Sequence, residues 1–422
     1  MSTRLASWSQ PADPRLAVVA AALALAVFVG SWAALHRGFY RHSQIVDTPV
    51  YQNYGDAIAN GKVPYRDFGL EYPPGALPVF TIPSLLRSPD GDLERYRDRF
   101  EAEMLVCGGL AVLFVLSALL SLGAGPGRLG LALGFTALAP LLLGSVVLSR
   151  FDLWPAALTA GALAALLAGR ERVAGVVLGL AVAAKLYPFV LVPVAGIWIW
   201  RRSGRRAGLV ALAIFAGVVA ACFLPFLALS PQGLWESVSR QTERPLQIES
   251  FGAGVLLVLH QIAGVGITME SSHGSQNLAG SGPDAIATLQ SALQLAAVVA
   301  VWIWFARGPM ERDRLVRAFA ATVCAFIAFG KVFSPQFLIW LVPLVPLVRG
   351  RRGLAAGAIL ALALVLTQLW FPFRYWDLAL HFRALPSWLV FVRDLAVFGL
   401  LAALLWPFRT RLGNVPGNVR SG

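Results

Sequence analysis

VAGVVLGLAVAAKLYPFVLVPVAGIWIW, residues 173–200, is an almost unbroken apolar stretch held between Arg170/Arg172 and Arg201/Arg202. One straight helix of this length would cross a bilayer and leave its two basic clusters on opposite faces. Short loops rich in Lys and Arg instead collect on one side. Lys185-Leu186-Tyr187-Pro188 breaks the stretch at its middle. Proline donates no amide hydrogen and disfavours helix at the residue before it, so a turn is predicted there. The stretch reads as two short helices in a hairpin with Lys185 at its tip. Residues 318–348 repeat the design between Arg307/Arg312/Arg314/Arg317 and Arg349/Arg351/Arg352, with Gly330-Lys331-Val332-Phe333-Ser334-Pro335-Gln336 at the break.

Working outward, further apolar runs lie at 16–35, 104–122, 129–148, 153–168, 207–229, 285–306, 354–371 and 388–408. With the basic clusters on one face, the hairpins make the count even. The expectation is an all-α polytopic membrane protein of about 12 passes, with both termini cytoplasmic. Composition agrees. The chain has 422 residues, 57% hydrophobic and 14% charged, with a mean hydropathy of +0.68, whereas soluble domains carry roughly 25% charged residues. The formal charge of +13 comes from 35 Lys+Arg against 22 Asp+Glu, and the arginines sit in short clusters between apolar runs. That pattern belongs to membrane loops and speaks against a nucleic-acid partner.

Several chemistries are disfavoured by what the sequence holds. Cys107, Cys222 and Cys324 stand apart inside apolar runs, so neither a disulfide framework nor a thiolate metal site is expected. The histidines form no HxxH or HExxH pair, and no GxxxxGK[ST] phosphate loop is present, so an ATP-driven pump is not expected. No cofactor is required on this reading. The outward carboxylates allow a divalent metal but no spacing calls for one. The run at 16–35 is long enough to span and is followed by no small-residue cleavage site, so it reads as a membrane helix rather than a signal peptide.

The remaining polar chemistry collects in the loops. A single membrane domain over 1–422 is expected, with a first extracytoplasmic loop at 36–100, a second at 230–284, and a cytoplasmic tail at 409–422. The first loop holds Asp47, Tyr51, Asp56, Glu71 and Tyr72 among turn formers; a short helix is expected over 53–59, stopped by Asn60-Gly61. Arg150 and Asp152 flank Phe151 and could pair with each other. The second loop brings Arg240, Arg244, Gln247 and Glu249, an apolar piece at 251–267 that could lie along the interface, and a Gly/Ser-rich 274–282 that reads as a mobile loop. Only three lysines occur, Lys62, Lys185 and Lys331, and this topology puts all of them at the outer boundary. A lysine deep in apolar sequence costs a few kcal/mol unless it faces a cavity or partner. Two at matching hairpin tips suit an anionic ligand at headgroup depth, although simple snorkelling is the plainer alternative.

Three segments carry a family resemblance: DTPVYQNYGDAIANGKVPYRDFGLEYPPGALPV (47–79), AAKLYPFVLVP (183–193) and FGKVFSPQFLIWLVPLVPL (329–347). They resemble the GT-C-type membrane glycosyltransferases, closely family 87, the polyprenyl-phosphate-mannose-dependent α-mannosyltransferases of actinobacteria. More distantly they are similar to the catalytic subunit of the first glycosylphosphatidylinositol mannosyltransferase. The resemblance implies a GT-C-like helical bundle with a structured first loop in the cell membrane. It also implies inverting transfer of a hexose, mannose by preference, from a polyprenyl-phosphate donor to a lipid or glycan hydroxyl on the extracytoplasmic side. Asp47 matches the family's general base, and Glu71, in a Pro-rich turn, competes for that role. Lys331 and Lys185 would bind donor phosphate, with Arg150 and Arg244 behind them. Tyr51, Asp56, Tyr72, Asp152, Tyr187 and Gln336 are the expected sugar or acceptor contacts. The alternative from another class is a secondary transporter or flippase, its hairpins being broken helices around a central site.

Overall fold

The computed structural model describes residues 13–41, 45–86 and 92–406; the tail expected at 409–422 lies outside them. Among the described residues, seven helices are long and apolar enough to cross a membrane: Pro14–Ala34, Leu93–Ser121, Pro126–Leu143, Arg205–Leu229, Ser281–Ala306, Gly350–Trp370 and Ala384–Leu405. The chain is a multi-pass membrane protein. Leu153–Leu167 and the two arms of each hairpin are shorter.

Both apolar stretches do fold back on themselves. In the first, Glu171–Ala184 rises and Val192–Ser203 returns, joined by the 3-10 turn Tyr187–Leu191. The Ser203 hydroxyl donates to Glu171 Oε1 at 2.7 Å, so the two ends of the stretch lie side by side. Small residues allow the rising arm to press closely on Arg205–Leu229. A Cβ on Gly175 would stand 2.7 Å from the Ala211 carbonyl oxygen, closer than any real contact. In the second hairpin, Asp313 at the start lies 3.7 Å from Arg349 at the end and 3.8 Å from Arg128.

Here the expectation of two helices needs correction. The rising arm Arg312–Ala328 is helical, but the return arm runs through the 3-10 turns Pro335–Trp340 and Val345–Leu347. Pro335, Pro343 and Pro346 remove three amide donors within 12 residues, and no α-helix can propagate through such spacing. The arm is nevertheless buried at Leu338, Trp340, Leu341 and Leu344.

The two long loops are more ordered than their composition suggests. In the first, Thr48–Ala59 is helical, longer than the turn or two expected, and ends at Asn60 with Gly61 in the left-handed region at φ 81°. The loop is closed at its base by Glu101, which takes His36 Nε2 at 2.5 Å and Arg97 Nε at 2.7 Å. The second loop is not purely helical or irregular. Leu246–Gln247, Thr268–Ser272 and Ser275–Ala279 form a three-stranded antiparallel sheet with the last strand in the centre. The Gly/Ser-rich segment is thus a strand whose Ser275, Asn277 and Leu278 are buried, entered through a His273-Gly274 turn at φ 53° and 66°. Such a turn matches the twist of paired strands and favours glycine. Phe251–Ala263 is a helix with Ser250 accepting from the Ala253 amide at its start. It packs inward: Phe251 meets Phe398 at 4.7 Å and Phe391 at 6.1 Å.

Candidate active site

The first loop docks on the tip of the first hairpin through a turn that only glycine fits. A Cβ on Gly75 would lie 2.5 Å from the Ala183 carbonyl carbon, and Trp154 Nε1 donates to the Gly75 carbonyl at 3.2 Å. This contact fixes the Pro73-Pro74-Gly75 turn, and with it Glu71, beside Lys185. Tyr72 next to Glu71 packs edge-on against Phe151 at 5.0 Å and Tyr51 at 5.8 Å.

Asp47 stands at the start of Thr48–Ala59, its side chain 31% exposed, and is ion-paired with Arg150 Nη1 while Tyr51 Oη donates to it at 3.4 Å. Arg150 and Asp152 do not pair with each other. Asp152, wholly buried, takes Lys185 Nζ and Trp340 Nε1, both at 2.6 Å on Oδ1. Residues two apart around the turn at Phe151 project to different neighbours, so each finds its countercharge on another segment. The result is a string of alternating charge, Asp47–Arg150, then Asp152–Lys185. It runs from the first loop to the first hairpin tip. Lys185 Nζ also faces the rings of Phe151 (4.7 Å) and Trp340 (5.2 Å), which favour a cation.

Lys185 then opens onto a cavity of about 430 Å³. Its charged residues are Glu71, Lys185, Arg244 and Lys331; Leu186, Phe223, Leu234, Val238, Phe326 and Phe337 supply much of its apolar wall. The two hairpin tips therefore converge. Lys331 is only half-buried, and its Nζ donates to the Thr242 carbonyl at 2.8 Å. Arg244 Nη2 donates to the His273 carbonyl at 3.1 Å and to Ser275 Oγ at 3.3 Å. The Lys331 tip is tied to the second loop. Gln247 N–H donates to the Lys331 carbonyl at 3.0 Å, and Gln247 Nε2 to Ser334 Oγ at 2.8 Å and to Glu249 Oε2. Burial pushes the Glu249 carboxyl up to about 7, against the opposing pull of Arg393, Arg150 and Arg244.

Glu71, Lys185, Lys331, Arg244 and Tyr187 thus share one cavity wall. Asp47 and Arg150 are outside that lining, linked to it by the charge string. Five of the six expected sugar or acceptor contacts, Tyr51, Asp56, Tyr72, Asp152 and Gln336, are outside that lining. Tyr51 is 1% exposed and stacked on Phe80 at 4.6 Å, a core ring that no sugar reaches. Asp56 accepts from Ser84 Oγ at 2.8 Å, and Gln336 begins the return arm outside the lining. Asp152 is buried behind Lys185. Tyr187 lies flat on Trp340, ring centres 3.9 Å apart, with its hydroxyl 2.9 Å from Thr159. Sequence reasoning passed over Trp340, Gln241, Thr242 and the buried pair Arg393–Asp394 (2.7 Å), whose guanidinium also donates to the Glu249 carbonyl at 2.7 Å. For that pair a signal was present, since adjacent opposite charges inside an apolar helix require a partner. Among the described residues, no three His, Cys, Asp or Glu side chains are placed to hold a metal ion.

Comparison with known proteins adds three findings. No protein of curated function matches the chain in sequence. Two crystal structures of ArnT from Cupriavidus metallidurans, one bound to undecaprenyl phosphate and one in the apo state, align with it at TM-scores of 0.48 and 0.46. Their identities are 16% and 14%, over 93% and 92% of this chain and 77% and 76% of theirs. The family profile of glycosyltransferase family 87 matches residues 70–335. That span takes in Glu71, both hairpin tips, Arg244 and the outer sheet, and it sets the carrier alternative aside: the chain belongs to glycosyltransferase family 87.

Proposed function

We propose that this membrane glycosyltransferase moves a hexose, mannose on the family's precedent, from a polyprenyl-phosphate donor to a lipid or glycan hydroxyl, with inversion, on the extracytoplasmic side of the cell membrane. The observation that carries the proposal is the convergence of Lys185, Lys331 and Arg244 in one cavity whose lining is otherwise largely apolar. An amphipathic donor needs both halves. Its prenyl chain lies along Phe223, Leu234 and Phe326, while its phosphate meets charge-assisted donors at the hairpin tips. Cations placed where negative charge builds on the departing phosphate stabilise the transition state more than the ground state.

Asp47 is the base in this reading. Its partly exposed carboxylate is oriented by Arg150 and by the Tyr51 hydroxyl, and a positioned base contributes roughly 10²–10⁴-fold. As the donor phosphate enters beside Lys185, it competes for Arg150 and frees Asp47 to take the acceptor's proton. A second reading has its own support, because Glu71 already faces the cavity. The deciding experiment is single-turnover transfer from a radiolabelled polyprenyl-phosphate mannose in detergent, with Asp47→Asn and Glu71→Gln compared. Loss of turnover in Asp47→Asn alone, with donor binding kept, is the expected result. Full activity there and loss in Glu71→Gln moves the base to Glu71. No transfer by the unmodified protein from any polyprenyl-phosphate sugar overturns the proposal.

A further inference from the structure

A second cavity of about 290 Å³ adjoins the first on its outer side and shares with it Glu71, Gln241 and Arg244. Its other residues are Arg240, Ser272, His273 and Gly274, so it has none of the apolar wall of the inner one. The strand turn builds its rim. His273 is one of three non-glycine residues with positive φ among those described, and Gly274 brings the turn so close to Glu71 that a Cβ there would sit 3.6 Å from Oε2. Two nitrogens at this rim are buried without a partner, Arg244 Nε and His273 Nδ1. A buried polar atom left unpaired is costly, so two of them beside a polar cavity point to a ligand that satisfies them. Arg240 is exposed above them.

We infer that this outer cavity is the acceptor subsite, and that it takes a hydroxylated glycan or headgroup carrying an anionic group. Arg240 and Arg244 grip the anion, His273 contributes a ring nitrogen, and Glu71 and Gln241 on the shared wall receive sugar hydroxyls. The two cavities divide the substrates by character. The amphipathic donor enters the inner one from the lipid side, and the hydrophilic acceptor enters the outer one from solvent. They meet at Glu71. Tyr72, the next residue, packs on Tyr51, whose hydroxyl contacts Asp47, so the wall that both cavities share is joined through the core to the other candidate base. This inference rests on the donor assignment above and is tested apart from it.

The test uses ligand-observed NMR on the full chain in detergent, with methyl glucoside, methyl glucoside 6-phosphate and methyl glucuronide as probes, and undecaprenyl phosphate binding measured in parallel. Charge-assisted hydrogen bonds should make at least one charged glycoside bind about tenfold tighter than the neutral one. Which one does so tells a phosphate-bearing acceptor from a uronate. The double variant R240Q/H273Q should bring the charged glycosides down to the neutral one's affinity and leave undecaprenyl phosphate binding unchanged, which also shows that the variant is folded. Equal affinity for all three probes, or no binding by any of them, overturns the subsite. So does an unaltered preference in the double variant. Charged glycosides that bind while undecaprenyl phosphate does not would leave this subsite standing and remove the donor assignment instead.

Discussion

The two hairpins bring the same residue to the same cavity by different means. At the first tip Lys185 is ion-paired with the wholly buried Asp152 and walled by aromatic rings. At the second, Lys331 holds only the Thr242 carbonyl, and its backbone leans on the second loop through Gln247. The first lysine belongs to the core and the second to the loop. A cation that must also neutralise a buried carboxylate is part of the fold, whereas one held by a carbonyl can turn to a phosphate without leaving a charge exposed to apolar surroundings. Of the two proposed phosphate ligands, Lys331 is therefore the one freer to turn, and Lys185 the fixed reference.

That contrast is open to attack first at the lysines themselves. Lys185→Met leaves Asp152 buried with only the Trp340 indole, a loss of about 3–5 kcal/mol for a broken buried pair. Thermal unfolding in detergent should show a large drop in Tm together with lost transfer. Lys331→Met should lower donor affinity severalfold and leave Tm within a degree or two, because its side chain pairs with no buried charge. Similar Tm losses in both would erase the distinction.

A smaller effect separates the tips by pH. Glu249, which accepts from the Gln247 side chain that ties down the Lys331 tip, has its carboxyl raised by burial from the usual 4.5 to about 7. The folded chain then binds more protons than the unfolded one across that window, so this group's contribution is complete below about pH 4.5 and is lost as pH rises through about 7. Glu249→Gln should flatten the fall of Tm between those values. An unchanged slope would mean that another group titrates there. The smallest effect belongs to the hairpin bases. Glu171→Gln and Asp313→Asn remove exposed or half-exposed contacts, worth about 0–1 kcal/mol, and both variants should keep transfer within twofold. A large loss in one alone would show that its base, not its tip, holds that hairpin shut.

How much of this could be read beforehand depends on the range of the interaction. The hairpins were legible because basic clusters and prolines act locally and leave their mark in adjacent residues; the same prolines could have warned that the 335–347 arm would not be α-helical. The convergence of Lys185 and Lys331 followed from topology alone. Pair choice did not. Arg150 beside Asp152 suggests a mutual pair, yet Asp47 and Lys185 take them, since countercharges are selected by three-dimensional neighbourhood. Tyr51 carries no sequence sign that Phe80, Phe100 and Phe151 will enclose it. VFVRDLAVF at 390–398 did carry one, an ion pair in apolar surroundings, and its countergroup Glu249 lies over a hundred residues away.

The amide of Gln247 gives that long reach a mechanical sense. It lies on an edge strand of the sheet and at the same time grasps the peptide unit of Lys331, so a single hydrogen bond joins the sheet to the second hairpin tip. On the proposed assignments, a polyprenyl phosphate that draws the Lys331 ammonium toward itself would pull on the strand that this bond holds, so arrival of the first substrate would be felt where the second is received.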